Sequence, residues 1–126
     1  HLLALIRGVH YVYSALYDPE KNTWKHLPHL PGLEDSKGFS EEKYYKTIRT
    51  TVIKIDGKEL LMLLIRSSQG LKIYNYDPKS NEWKDKGIGP EWSDAKGFDA
   101  SHHYETIQVE VIETSDNKQE LIVLSR

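Results

Sequence analysis

The apolar positions of this chain recur mostly at a spacing of two. Over residues 104–113, Ile107, Val109 and Val111 share one side while Thr106, Gln108 and Glu110 share the other, the alternation of a half-buried strand. Residues 45–55 carry the counterpart of that pattern, and residues 60–66 are apolar on both sides, which marks a central strand covered on both faces. Between them Asp56-Gly57-Lys58 reads as a hairpin turn, with Gly57 supplying a positive φ. Gly70 marks the next turn, residues 71–76 the next strand, and Asp77-Pro78-Lys79-Ser80-Asn81 a turn by its chemistry. A short strand carrying Trp83 follows, and a polar loop over 86–97 closes the unit. No stretch combines helical periodicity with caps, so the expectation is an all-β chain.

The unit is repeated. Tyr17-Asp18-Pro19 recurs as Tyr76-Asp77-Pro78, Asn22 and Trp24 as Asn81 and Trp83, Lys37-Gly38-Phe39 as Lys96-Gly97-Phe98, and Leu5-Ile6-Arg7 as Leu64-Ile65-Arg66, every pair 59 positions apart. A partial third copy places Leu124 and Arg126 60 positions after Leu64 and Arg66, the extra residue falling in the turn at 115–119. Lettering the strands of one unit d, a, b, c in chain order, the sequence reads a-b-c, d-a-b-c, d-a. The repeat units are a partial one over 1–43, a full one over 44–102 and a partial one over 103–126. Tandem four-stranded units of this size predict β-propeller blades with antiparallel strands. A plain sandwich of about nine strands competes on strand number alone, and the fidelity of the repeat speaks against it. Two blades do not close a ring of about four to eight. Either several copies of the chain build one ring, or the chain is part of a longer propeller. Joining d-a to a neighbour's a-b-c leaves one strand a too many, which favours the second arrangement.

Composition narrows the function. The 126 residues hold 17 Lys and Arg against 19 Asp and Glu, a net charge of −2, which argues against nucleic acid or an anionic membrane as the main partner. No apolar run approaches the roughly 18–20 residues of a membrane span, so no membrane insertion is expected. Cysteine is absent, which excludes disulfides, zinc ribbons and thiol nucleophiles. The chain opens on His1 rather than Met with no visible signal peptide, which reads as processing or excision. Three Trp and eight Tyr against two Phe suit wet surfaces and half-buried strands. No nucleophile elbow, phosphate loop or zinc-protease motif is present, so neither an enzyme nor a cofactor is expected.

Two family patterns are in view. Ser93-Asp94-Ala95-Lys96-Gly97-Phe98 followed by Tyr104-Glu105-Thr106-Ile107-Gln108, with Tyr44-Tyr45-Lys46-Thr47-Ile48-Arg49 and Asp56-Gly57-Lys58-Glu59-Leu60 in the first unit, resembles FG-GAP/VCBS-like propeller repeats and is more distantly similar to integrin-like mushroom lectins. Tyr17-Asp18-Pro19-Glu20-Lys21-Asn22-Thr23-Trp24 resembles the kelch hairpin, although Arg7-Gly8 and Arg66-Ser67 stand where kelch has a double glycine. Both resemblances imply a propeller. The first implies calcium at an acidic turn, but two lysines flank Asp56 and only oxygens without the pattern remain at 113–117. No metal site is therefore expected, and the turn reads as a solvated hairpin.

The candidate binding residues follow. Trp92 lies in the polar loop before Asp94, where an indole can stack on a pyranose while polar neighbours take its hydroxyls. Tyr44, Tyr45, His103 and Tyr104 open the d strands, and the lectin resemblance adds Arg49 and Gln108 as polar partners. Adjacent His102 and His103 point to opposite strand faces and do not chelate one metal together. Trp24 and Trp83 read as packing anchors of the outer strand. Arg7, Arg66 and Arg126 end strand a in every copy: either an ion pair with Asp35 or Asp94, or a ring of donors around one opening. The expectation is a secreted, lectin-like module with glycans as partners, completed by other copies of the chain or by the rest of a longer propeller. The alternatives are a kelch-like protein-interaction propeller and an accessory module of a larger secreted protein.

Overall fold

A computed structural model describes residues 2–7, 10–34, 47–67, 69–96, 107–114 and 118–124. Their nine strands form three antiparallel sheets. The first holds β1 (Leu2–Arg7), β2 (Val12–Asp18) and β3 (Thr23–Leu27). The second holds β4 (Arg49–Ile55), β5 (Lys58–Ser67), β6 (Gly70–Asp77) and β7 (Glu82–Ser93). The third holds β8 (Gln108–Glu113) and β9 (Gln119–Leu124). Every strand pairs with its neighbour in sequence, and the pairing keeps the repeat. Leu2 faces Tyr17 as Leu61 faces Tyr76, and Tyr17 faces Trp24 as Tyr76 faces Trp83. The sheet orders thus match the order a-b-c, d-a-b-c, d-a read from the sequence.

The repeated hairpin between strands b and c is built by its own side chains. Asn22 and Asn81 sit at φ 51° and 59°, the left-handed conformation that asparagine tolerates. Their Oδ1 atoms accept hydrogen bonds from Tyr17 and Tyr76 at 3.0 and 2.7 Å. Asp18 Oδ1 accepts from the backbone of Glu20 and Lys21, and Asp77 Oδ1 from that of Lys79. The Tyr-Asp-Pro…Asn motif is therefore a turn specification. Asp56 and Gly57, at φ 49° and 74°, make the two-residue turn between β4 and β5 that matches strand twist.

The second sheet is packed on both faces. Leu63, Ile65, Tyr74, Tyr76 and Trp83 form one core with Val12, Leu27, Leu30 and Leu33 of the first sheet and the segment after it. Leu64 and Leu71 form the other with Ile107, flanked by Val109, Leu121 and Val123 of the third sheet. Alternate residues of β5 thus enter different cores, the doubly apolar pattern expected of a central strand. Trp83 donates from Nε1 to Ser14 Oγ across the first junction at 3.0 Å.

Two expectations are corrected. The segment expected as a polar loop over 86–97 continues as strand to Ser93, followed by a 3-10 turn over Asp94–Lys96. Register shifts between Lys72 and its neighbours let β7 bulge away and return to pair Ser93 with Gly70, and Gly87 takes φ 84° at the first shift. Trp24, expected as a packing anchor, is 51% exposed whereas Trp83 is 5% exposed, because no described sheet covers the outer face of the first one.

Candidate functional site

The candidate residues that the structure describes gather where β4 and β8 begin and β5 and β7 end. Arg49 spans this junction. Its Nε donates to the Ile107 carbonyl at 2.7 Å and its Nη1 to the Ile48 carbonyl at 2.9 Å. One guanidinium thus ties together the entrances of strand d in successive sheets. Thr47, fully buried, accepts the Arg66 backbone N–H at 3.0 Å and fixes the same corner from the β5 side.

Arg66 itself is buried, and its Nη2 donates to Asp94 Oδ1 at 2.6 Å. Of the two readings of the repeated arginine, the ion pair holds in this unit. Asp94 is held in turn by its backbone N–H on the Gln69 carbonyl. Its carboxylate remains partly exposed, the outward part of an otherwise enclosed pair. Neutralising the buried guanidinium is the main physical task of this carboxylate.

Trp92 lies within β7 and packs, half-buried, on the core of Leu64, Leu71 and Ile107. Gly89 sits against its indole: a Cβ there would come within 2.9 Å of Trp92 Cδ1. Leu33, its counterpart 59 positions earlier, is fully buried in the other inter-sheet core. The two residues cap equivalent junctions. Gln108, the counterpart of Arg49, is exposed at the start of β8, on the side opposite Val109 and so facing away from the second sheet. The structure therefore brings Trp92, Arg49 and Asp94 to one junction, around Ile107 and Arg66, and puts Gln108 at the same phase one unit on. Tyr44, Tyr45, His103 and Tyr104 lie outside the described residues.

Sequence reasoning did not single out a groove of about 460 Å³ between the first two sheets, lined by Leu16, Asp18, Lys21, Thr23, Lys25, Tyr76 and Pro78. Lys21 in the turn and Thr23 and Lys25 in β3 stand two positions apart, a period-2 signal that could have flagged its polar wall. At the other side of the second sheet, a hollow of about 230 Å³ separates Lys54, Ile55 and Asp56 from Lys118, Gln119 and Glu120. There the Lys54 backbone N–H donates to Gln119 Oε1 at 2.6 Å.

Two ionisable groups away from the Arg49 junction are displaced from their ordinary ranges. Lys84 donates to Asp77 at 2.6 Å, and that charged hydrogen bond, helped by the Lys79 backbone N–H, lowers the Asp77 carboxyl to about 2. Burial first, then the carboxylates of Asp85 and Glu34, push the Tyr74 phenol well above its usual value. It stays neutral and donates to the Pro31 carbonyl at 2.8 Å. No protein-family model matches the chain, and neither a curated protein nor a solved structure matches it.

Proposed function

We propose that the three sheets are successive β-propeller blades of a non-catalytic binding module, and that its ligands are glycans held in shallow sites at the junctions between sheets. The observation that carries this reading is the Arg49 junction. Arg49, bonded to the Ile107 carbonyl, and the Arg66–Asp94 pair border the core of Leu64, Leu71 and Ile107, on which the half-buried indole of Trp92 packs. Polar groups fixed by packing beside an aromatic ring are what a sugar-binding site uses. Gln108 repeats the Arg49 position on the outer face of the third sheet, so a further blade stacked there would meet a related polar corner, and weak sites in series gain affinity through avidity.

A protein-docking propeller is the second reading. It is favoured by a specific observation: Arg49, Asp94 and Trp92 are each already engaged in holding the junction together. The test is a glycan array probed with the natively purified protein, followed by competition with free sugar. Saturable binding that free sugar removes supports the first reading. No binding across a broad array overturns it in favour of protein docking.

A further inference from the structure

The same repeat position is exposed at an end of the sheet stack and buried where a sheet covers it. Leu64 is fully buried against the third sheet, whereas its counterpart Leu124 is 52% exposed. Ile53 is 6% exposed and its counterpart Ile112 40%. Leu61 is half-buried against the first sheet, while its counterpart Leu2 is 60% exposed. Trp83 and Trp24 form a fourth such pair, 5% and 51% exposed.

The exposed members fall into two sets. Cross-strand pairing puts Leu2, Tyr13 and Trp24 on the outer face of the first sheet. It puts Ile112, Ile122 and Leu124 on the outer face of the third. Leu2 and Trp24 are the counterparts of Leu61 and Trp83 on the face by which the second sheet packs on the first, with Tyr13 standing where Lys72 does. The second set matches the face by which the second sheet packs on the third. These are the two halves of an interface that the chain already makes twice within itself. In the first of those, Leu61 and Leu63 join the core that Leu3 and Leu5 pack against. The counterparts of Leu61 and Leu63 are Leu2 and Ala4, and those of Leu3 and Leu5 are Ile122 and Leu124. The outer face of the first sheet also holds a hollow of about 220 Å³ lined by Ala4, Tyr13, Ser14, Ala15 and His26, with room for an aliphatic side chain.

The geometry points to a second copy of this chain as the occupant, docked head to tail, with the first sheet of one copy stacked face to face on the third sheet of the next; the two stay separate sheets, so the surplus strand a that counts against merging them into one blade does not arise. This rests on the reading of the sheets as propeller blades and is independent of the glycan. The contact is heterologous, so it builds a ring if its rotation closes and an open filament if it does not.

The test uses the full chain and two variants, Trp24→Asp on one end face and Ile122→Asp on the other, with circular dichroism confirming that both stay folded. Light scattering should show concentration-dependent association of the parent chain and monomers of either variant alone. Mixed, the two variants should form a 1:1 dimer and nothing larger, because one intact face of each kind remains. A parent chain that stays monomeric to its highest soluble concentration overturns the proposal. So does a mixture that stays monomeric, or a single variant that still self-associates. Negative-stain images of the parent assembly separate this proposal from the propeller reading: closed rings support both, and open filaments keep the docking and overturn the ring.

Discussion

Trp83 and Trp24 occupy the same place in the repeat and differ in what covers them, so replacing each with alanine separates packing from sequence context. Trp83 lies in the core shared by the first two sheets, bonds Ser14 at 3.0 Å, and tilts against Tyr76 with ring centroids 5.5 Å apart. Removing a buried tryptophan costs about 3–5 kcal/mol. The buried Ser14 hydroxyl then loses its partner, adding about 1 kcal/mol. Trp24 keeps the equivalent contact to Tyr17, at 5.0 Å, but is half exposed, so its removal costs about 1 kcal/mol from lost apolar area. Global stability of a domain is about 5–15 kcal/mol, so the Trp83 change removes a large part of it. In urea, with a slope of about 1–3 kcal/mol per molar, the Trp83→Ala midpoint falls by about 2 M and the Trp24→Ala midpoint by about 0.5 M. Unfolding is followed by far-UV circular dichroism at a dilution where the chain is monomeric, since association would add burial to Trp24. Trp83→Phe keeps the ring and drops the bond to Ser14, and its midpoint should lie between those of the parent and Trp83→Ala. Equal shifts for the two alanine variants would refute the reasoning.

Three further outcomes follow from the geometry. Gly70 sits at φ 145°, and a Cβ there would collide with the Trp92 carbonyl and lie 2.8 Å from Ile88 Cγ2 and Ser93 Cα. Gly70→Ala should therefore cost about 2 kcal/mol or more in thermal unfolding, and a neutral result would contradict the bulged pairing of β6 with β7. Asp94→Asn removes the charge facing the buried Arg66 and should cost about 2 kcal/mol in urea; unchanged stability would mean that the pair does not hold the β7 end. Asp77 has its folded-state carboxyl lowered, so its contribution is present above about pH 4 and is lost as pH falls through about 2. The pH dependence of the melting temperature should flatten over that window in Asp77→Asn, and an unaltered acid limb would show that the Lys84 pair contributes nothing.

Much of the fold was legible because its causes are local. The two-sided apolar pattern of residues 60–66 announces β5 between two cores. Asp56-Gly57 and the paired Tyr-Asp-Pro…Asn hairpins carry their turn geometry in residue type alone. The end of β7 was not legible, because Gly87, Gly89 and Pro90 break the period-2 pattern while the chain stays paired to β6 through its bulge. The exposure of Trp24 was not legible either, since the residues around it resemble those around Trp83 and only the neighbouring sheet differs. At the candidate site, Arg66 with Asp94 was readable as one of two alternatives. The packing of Trp92 was signalled by its counterpart Leu33, an apolar residue with no sugar-stacking face.

The claim that these sheets are successive units, each buried only where a neighbour covers it, is tested most directly by hydroxyl-radical footprinting of the three tryptophans, read by mass spectrometry. In the dilute monomer the account predicts fast oxidation of Trp24, slow oxidation of Trp83 and an intermediate rate at Trp92. As the concentration rises, Trp24 should slow toward the rate of Trp83 while Trp83 and Trp92 stay constant. Equal rates at Trp24 and Trp83 in the monomer, or a Trp24 rate that concentration leaves unchanged, would contradict it.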